Sequence, residues 1–97
     1  MQKFIVYQVA KNYYKEGRSL RLPTHLKNQF DRASSSIVLN IAEGAAKPTR
    51  KDKAKFYAIA YGSAKECQAI LDLVDGKNLF ELGDKLCAYL WRLHRKV

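Results

Sequence analysis

The stretch LKNQFDRASSSIVLNIAEG, Leu26 to Gly44, decides the fold. Its apolar and small positions Leu26, Phe30, Ala33, Ile37, Ile41 and Gly44 recur in a four–three rhythm. An α-helix brings residues three and four apart onto one face, so the stretch predicts a helix with an apolar seam suited to a bundle. No strand-like alternation runs through it. Pro23 precedes it, and Thr24 reads as its N-cap, so the helix is predicted from Thr24 to about Ala46. At about 1.5 Å per residue it spans on the order of 30 Å.

The same reading extends in both directions. Pro48 is followed by Thr49, and Thr49-Arg50-Lys51-Asp52 resembles a capping box with Asp in place of the usual Glu. A helix from Arg50 to about Val74 follows, with Phe56, Ala60, Ser63, Cys67, Ile70, Leu71 and Val74 on its apolar face. Asp75-Gly76-Lys77-Asn78 has the composition of a turn. Beyond it, Leu79, Leu82, Leu86, Leu90, Leu93 and Val97 form a narrow stripe on a helix from about Leu79 to Val97. Upstream, Gln2 to about Gly17 places Val6, Val9, Tyr13 and Gly17 on one face, against Tyr7, Lys11, Tyr14, Lys15 and Arg18 on the other. Four amphipathic helices on short connections predict an all-α, antiparallel up-down four-helix bundle, one domain over residues 1–97.

The composition bounds the partners. A hydrophobic content of 47% suffices for one core, but so small a domain gains from association with copies of itself. Lys and Arg number 18 against 9 Asp and Glu, and the net charge of +9 favours polyanions over a merely solubilising role because it is clustered. Cys67 and Cys87 lie far apart without metal-ligand spacing and read as core or semi-buried residues of a cytosolic protein. The start, Met1 to Ala10, is too short and polar for a signal peptide or membrane helix, so a cytoplasmic protein is expected. No cofactor or metal ligand set is evident.

Helix two carries a polar line that a plain bundle does not need. Gln29, Arg32, Ser36, Asn40 and Glu43 follow at steps of three and four beside the apolar seam, with Ser63 and Glu66 available on helix three. If buried, each member needs a partner, and Glu66 with Arg32 is the pairing expected first. The line reads as a network fixing helix register or as the rim of a subunit interface. A catalytic reading would pair Glu43 with Glu66. Di-metal bundles use Glu-x-x-His, and neither Glu has a His three positions on. There is no Gly-rich phosphate loop, Ser/His/Asp set or Cys/His pair, and a non-enzymatic protein is expected.

The basic residues gather in two places. Lys47, Arg50, Lys51, Lys53 and Lys55 crowd the second connection and the start of helix three, offset by Asp52 alone. Cations there oppose the helix dipole, so another role favours them. Lys51, Lys55, Ala58, Gly62, Lys65 and Ala69 share one face. Its small residues would admit a phosphate backbone or, the commoner case, another helix with the lysines as rim. On helix one, Tyr7 and Tyr14 beside Lys11, Lys15 and Arg18 could stack on single-stranded bases, although packing on a neighbouring helix accounts for the tyrosines more simply. Arg92, Arg95 and Lys96 complement the dipole of helix four. Trp91 lies opposite the leucine stripe, near Cys87 and His94, and is assigned with Tyr57 and Tyr61 to a subunit interface. His25 and His94 read as surface or interface residues.

Several of these positions also carry a family resemblance. Leu26-x-x-Gln29-x-x-Arg32-Ala33-x-x-Ser36-Ile37-x-x-Asn40-Ile41-Ala42-Glu43-Gly44, with Lys55-Phe56-Tyr57 and Ala60-x-Gly62-Ser63-x-x-Glu66, resembles the signature of the four helix bundle protein family. That family includes proteins encoded by intervening sequences in bacterial large-subunit ribosomal RNA genes. The resemblance covers helices two and three. It implies a homo-oligomer, expected as a pentamer. The family is similar in fold to the accessory protein of diversity-generating retroelements, a basic pentamer that associates with a reverse transcriptase and with nucleic acid. Helix one lacks the family's usual opening, and helix four is short.

Charge and resemblance together predict a homo-oligomeric module that binds nucleic acid, RNA before DNA, mainly through phosphates; a reverse-transcriptase-like partner beside it is what the resemblance implies. Lys47, Arg50, Lys51, Lys55 and Lys65 are the first candidate contacts, with Lys11, Lys15 and Arg18 second. The alternative is a structural or protein-interaction oligomer without a nucleic-acid role.

Overall fold

The computed structural model describes residues 2–95, and within them the chain forms α1 (Gln2–Gly17), α2 (Thr24–Ala46), α3 (Arg50–Leu73) and α4 (Lys77–Arg95). The predicted helix-four positions Lys96 and Val97 lie outside the described residues. The helices run up and down around one core in a body of 40 × 21 × 18 Å. Sequence neighbours pack together, and α4 closes the ring against α1.

Local chemistry sets most boundaries. Thr49 caps α3, its Oγ1 accepting from the Asp52 N–H at 3.1 Å. Thr24 does not cap α2. Pro23 takes that position with extended dihedrals, and its carbonyl accepts from the Leu26 and Lys27 N–H groups at 3.0 and 2.8 Å. Thr24 therefore becomes the first helical residue. Lys27 fastens the preceding turn, donating from Nζ to the Arg18 carbonyl at 2.9 Å. At the end of α3, Asp75 adopts a left-handed φ of 60° and the Gly76 N–H reaches back to the Leu71 carbonyl at 2.8 Å. This is the 6→1 bond of a Schellman stop. It confines the turn to Val74–Gly76, so α4 begins at Lys77 rather than Leu79.

The core draws Val6, Ala10 and Tyr13 from α1, Phe30, Ile37 and Ile41 from α2, and Leu86 and Leu90 from α4. The buried face of α3 differs from the predicted one. Tyr57, Ala64 and Gln68 are buried, whereas Phe56, Ser63 and Val74 are only half-buried. The predicted stripe leaned towards α2 alone, but α3 packs against both α2 and α4, and its buried face turns to serve the two.

A polar knot joins three helices within this core. Tyr13 Oη donates to Gln68 Oε1 at 2.9 Å, and Gln68 Nε2 donates to the Phe80 carbonyl at 3.0 Å and to Asp84 Oδ1 at 3.1 Å. Gly83 makes room for it, since a Cβ there would collide with the Gln68 amide. No helix among the described residues is long and apolar enough to cross a membrane.

Candidate nucleic-acid interface

The up-down topology brings the end of α2, the start of α3 and the end of α4 to one pole of the bundle. Lys47, Arg50, Lys51 and Lys55 arrive there from α2 and α3, Arg92 and Arg95 from α4. Of the acidic residues only Glu43 and Asp52 share this pole. Glu43 pairs with Lys47 at 2.9 Å, an exposed i,i+4 contact of small energetic weight. Phe56 organises two of the cations: Lys47 Nζ lies 5.0 Å and Lys55 Nζ 6.0 Å from its ring centre. Such contacts hold flexible lysines near the surface while leaving their charge in water. Lys51 and Lys55 are exposed.

The other predicted cations do not join this cluster. Lys11, Lys15 and Arg18 run towards the opposite pole, where α1 ends. Arg18 is occupied locally, donating from Nη1 to Tyr14 Oη at 3.0 Å with its guanidinium 5.8 Å from the Tyr14 ring centre. Tyr7 packs against the core, as the simpler reading of that face expects. Lys65 sits midway along α3, on the side facing α4. The predicted contacts thus divide between a polar cap, a mid-bundle lysine and a distant second patch.

The hydrogen bonds that join the polar line of α2 to α3 lie at its centre, and Glu43 at its end pairs with Lys47 instead. Ser36 and Ser63 hydroxyls meet at 3.0 Å, and Asn40 Nδ2 donates to the Ser36 carbonyl and hydroxyl at 2.9 and 3.1 Å. Gln29, Arg32, Glu43 and Glu66 are exposed, and no ion pair joins Arg32 to Glu66 among the described residues. Facing water, these charges need no partner, so the expected pairing does not form. Antiparallel register separates Glu43 from Glu66 by ~15 Å along the bundle, too far for a carboxylate pair.

The three aromatics assigned to a subunit interface part company. Tyr57 is buried inside the protomer against Gly44, where it cannot reach another subunit. Its hydroxyl has no hydrogen-bond partner among the described residues, and burial pushes its pKa up. Tyr61 and Trp91 meet each other across α3 and α4, ring centres 5.4 Å apart. His94 completes the cluster, 5.5 Å from Tyr61 and 5.0 Å from Trp91. Arg95 lies 5.1 Å from the Trp91 ring centre. The spacing of three brings Trp91 and His94 together on one helix, as the sequence indicates, whereas the approach of Tyr61 from α3 carries no signal in it.

Cys67 and Cys87 are free and buried. Desolvation pushes the Cys67 thiol up to about 12, and it raises Cys87 too, against a partly opposing pull from Lys65. Neither has the thiolate character of a nucleophile. Among the described residues no three His, Cys, Asp or Glu side chains converge to hold a metal ion.

A family model described as 23S rRNA-intervening sequence protein matches residues 2–86, which takes in α1 to α3 and the first half of α4. No curated protein and no solved structure matches the chain.

Proposed function

The chain belongs to the 23S rRNA-intervening sequence protein family, and from that premise we propose that it is a non-enzymatic, homo-oligomeric module of the cytoplasm that binds nucleic acid, RNA before DNA, mainly through phosphate contacts. The observation that carries this reading is the cationic pole. Lys47, Arg50, Lys51, Lys55, Arg92 and Arg95 come from three helix ends to one end of the body, with only Glu43 and Asp52 to offset them. Fixed cations on a rigid end displace counterions from a phosphate backbone, and this gives affinity with little sequence choice. Symmetry would repeat the pole on every subunit. A pentamer and a reverse-transcriptase-like partner beside it rest on the family resemblance.

Oligomer formation has support of its own. Leu39 and Ile59 are exposed at 66% and 44% on the two sides of the Ser36–Asn40–Ser63 cluster, and burial against another copy would remove both from water. The same observation favours the second reading, an interaction scaffold in which the cations serve only solubility.

Charge reversal at Lys51 and Lys55 separates the two. The double variant K51E/K55E should lose at least tenfold in affinity for a ribosomal RNA fragment while its helical content stays unchanged. Unchanged affinity would overturn the phosphate assignment.

A further inference from the structure

Phosphate contacts at the pole leave the aromatic cluster of α3 and α4 without a role. Trp91 is 44% exposed, and Tyr61 and His94 hold its position. A shallow cleft of about 350 Å3 opens beside it, lined by Tyr61, Lys65, Asp84, Cys87, Ala88 and Trp91. The adjoining surface of α3 is flat: Ala58 and Gly62 are exposed, and a Cβ at Gly62 would meet nothing within 4 Å. The small residues that the sequence offered for helix packing are therefore uncovered within the protomer.

Cations border this flat aromatic face along its length. The Tyr61–Trp91 contact sets the register of α3 against α4. It places Lys51 towards the pole from the cluster and Lys65 on the other side, a span of ~21 Å at about 1.5 Å per residue, while Lys55 turns to Phe56 on the α2 side. Arg95 lies against the Trp91 ring with its guanidinium donors at the surface. Asp84, the acid in the cleft, is engaged by Gln68.

We propose that this α3–α4 face binds single-stranded nucleic acid, with an unpaired base stacked at Trp91 and backbone phosphates to either side held by Lys51 and Lys65. The proposal rests on the nucleic-acid reading above and specifies the strandedness of its ligand. Aromatic platforms beside basic side chains take unpaired bases because every base has a π-face, whereas a duplex keeps those faces inside its own stack. A second copy is the weaker occupant. The heterologous contact of a ring would have to bring acidic side chains to Lys51, Lys65 and Arg95, and the chain has 9 Asp and Glu against 18 Lys and Arg.

Trp91 is the chain's one tryptophan, so its emission reports directly. The full chain is titrated with a short single-stranded RNA lacking self-complementarity, with the same strand annealed into a duplex, and with inorganic polyphosphate, which offers phosphates without bases. The single strand should quench Trp91, and polyphosphate and duplex should not. W91A should lose about tenfold in affinity for the single strand and keep its affinity for polyphosphate, while W91F restores most of the loss. Single-strand binding without quenching, or with W91A unaffected, would overturn the stacking role and leave the phosphate reading standing. A W91A variant that changes subunit number but not single-strand affinity would assign the face to a second copy. Failure of all three ligands to bind would overturn the phosphate reading and the stacking role together.

Discussion

Tyr57 carries the clearest local cost in the molecule. Its hydroxyl is buried and unpartnered among the described residues, and a buried donor without an acceptor loses the hydrogen bond that water would supply. Tyr57→Phe removes the hydroxyl and keeps the ring against Gly44. It should raise the unfolding free energy by about 1 kcal/mol in urea denaturation; a loss of stability would mean that the hydroxyl is satisfied. Cys67 makes a prediction of the other kind. Burial lifts its thiol from 9.0 to about 12, so the folded chain holds this proton more tightly than the unfolded one. The resulting stabilisation is complete below about pH 9 and is lost as pH rises from there towards about 12. Denaturation midpoints should fall across that window, and Cys67→Ala, less stable throughout, should fall less steeply. The burial of Cys67 was legible, because it lies on the apolar face of its helix; that of Tyr57 was not. Tyr57 was assigned to a subunit interface, and a tyrosine beside basic residues looks the same from sequence whether it points out to a partner or into its own core.

The elements were the most legible level, and the reason is local. Pro23, Pro48, Thr49 and the Asp75-Gly76 turn restrict the backbone within a few residues, so their effect needs no knowledge of the rest of the chain. Thr49 bonds the Asp52 N–H as a capping box requires, whereas Thr24 sits one position inside its helix. The two threonines should behave differently on truncation. Thr49→Ala is expected to cost about 1 kcal/mol and Thr24→Ala only a small fraction of that, measured by thermal melting; equal losses would contradict the assignment of Pro23 as the cap. What the periodicity could not supply was rotation about the helix axis. Which side of α3 is buried depends on two neighbours, and periodicity names neither. The same ignorance of the third dimension hid Gln68. A glutamine between a cysteine and an alanine gives no sign that Tyr13 and Asp84 will close on its amide.

At the scale of the whole molecule the bundle acts by gathering charge. The cations between Lys47 and Lys55 were evident in sequence because they are contiguous, but Arg92 and Arg95 were explained away by the dipole of their own helix. Only the antiparallel turn at Val74–Gly76 brings them to the same pole. Lys11, Lys15 and Arg18 were grouped with the first set by charge and are separated from it by most of the long axis. One pole therefore holds the dense cationic surface, and the α3–α4 face leads away from it.

A salt titration of binding to a structured ribosomal RNA fragment, with duplex DNA of equal length alongside, is the most direct test. A phosphate-binding pole predicts micromolar or tighter binding to the RNA near physiological ionic strength and a steep linear fall of log K with log salt. It also predicts weaker binding to the DNA, and a slope made shallower by roughly two phosphates in K51E/K55E. A flat salt dependence, or equally feeble binding of both nucleic acids, would contradict it and leave the cations as a device for solubility.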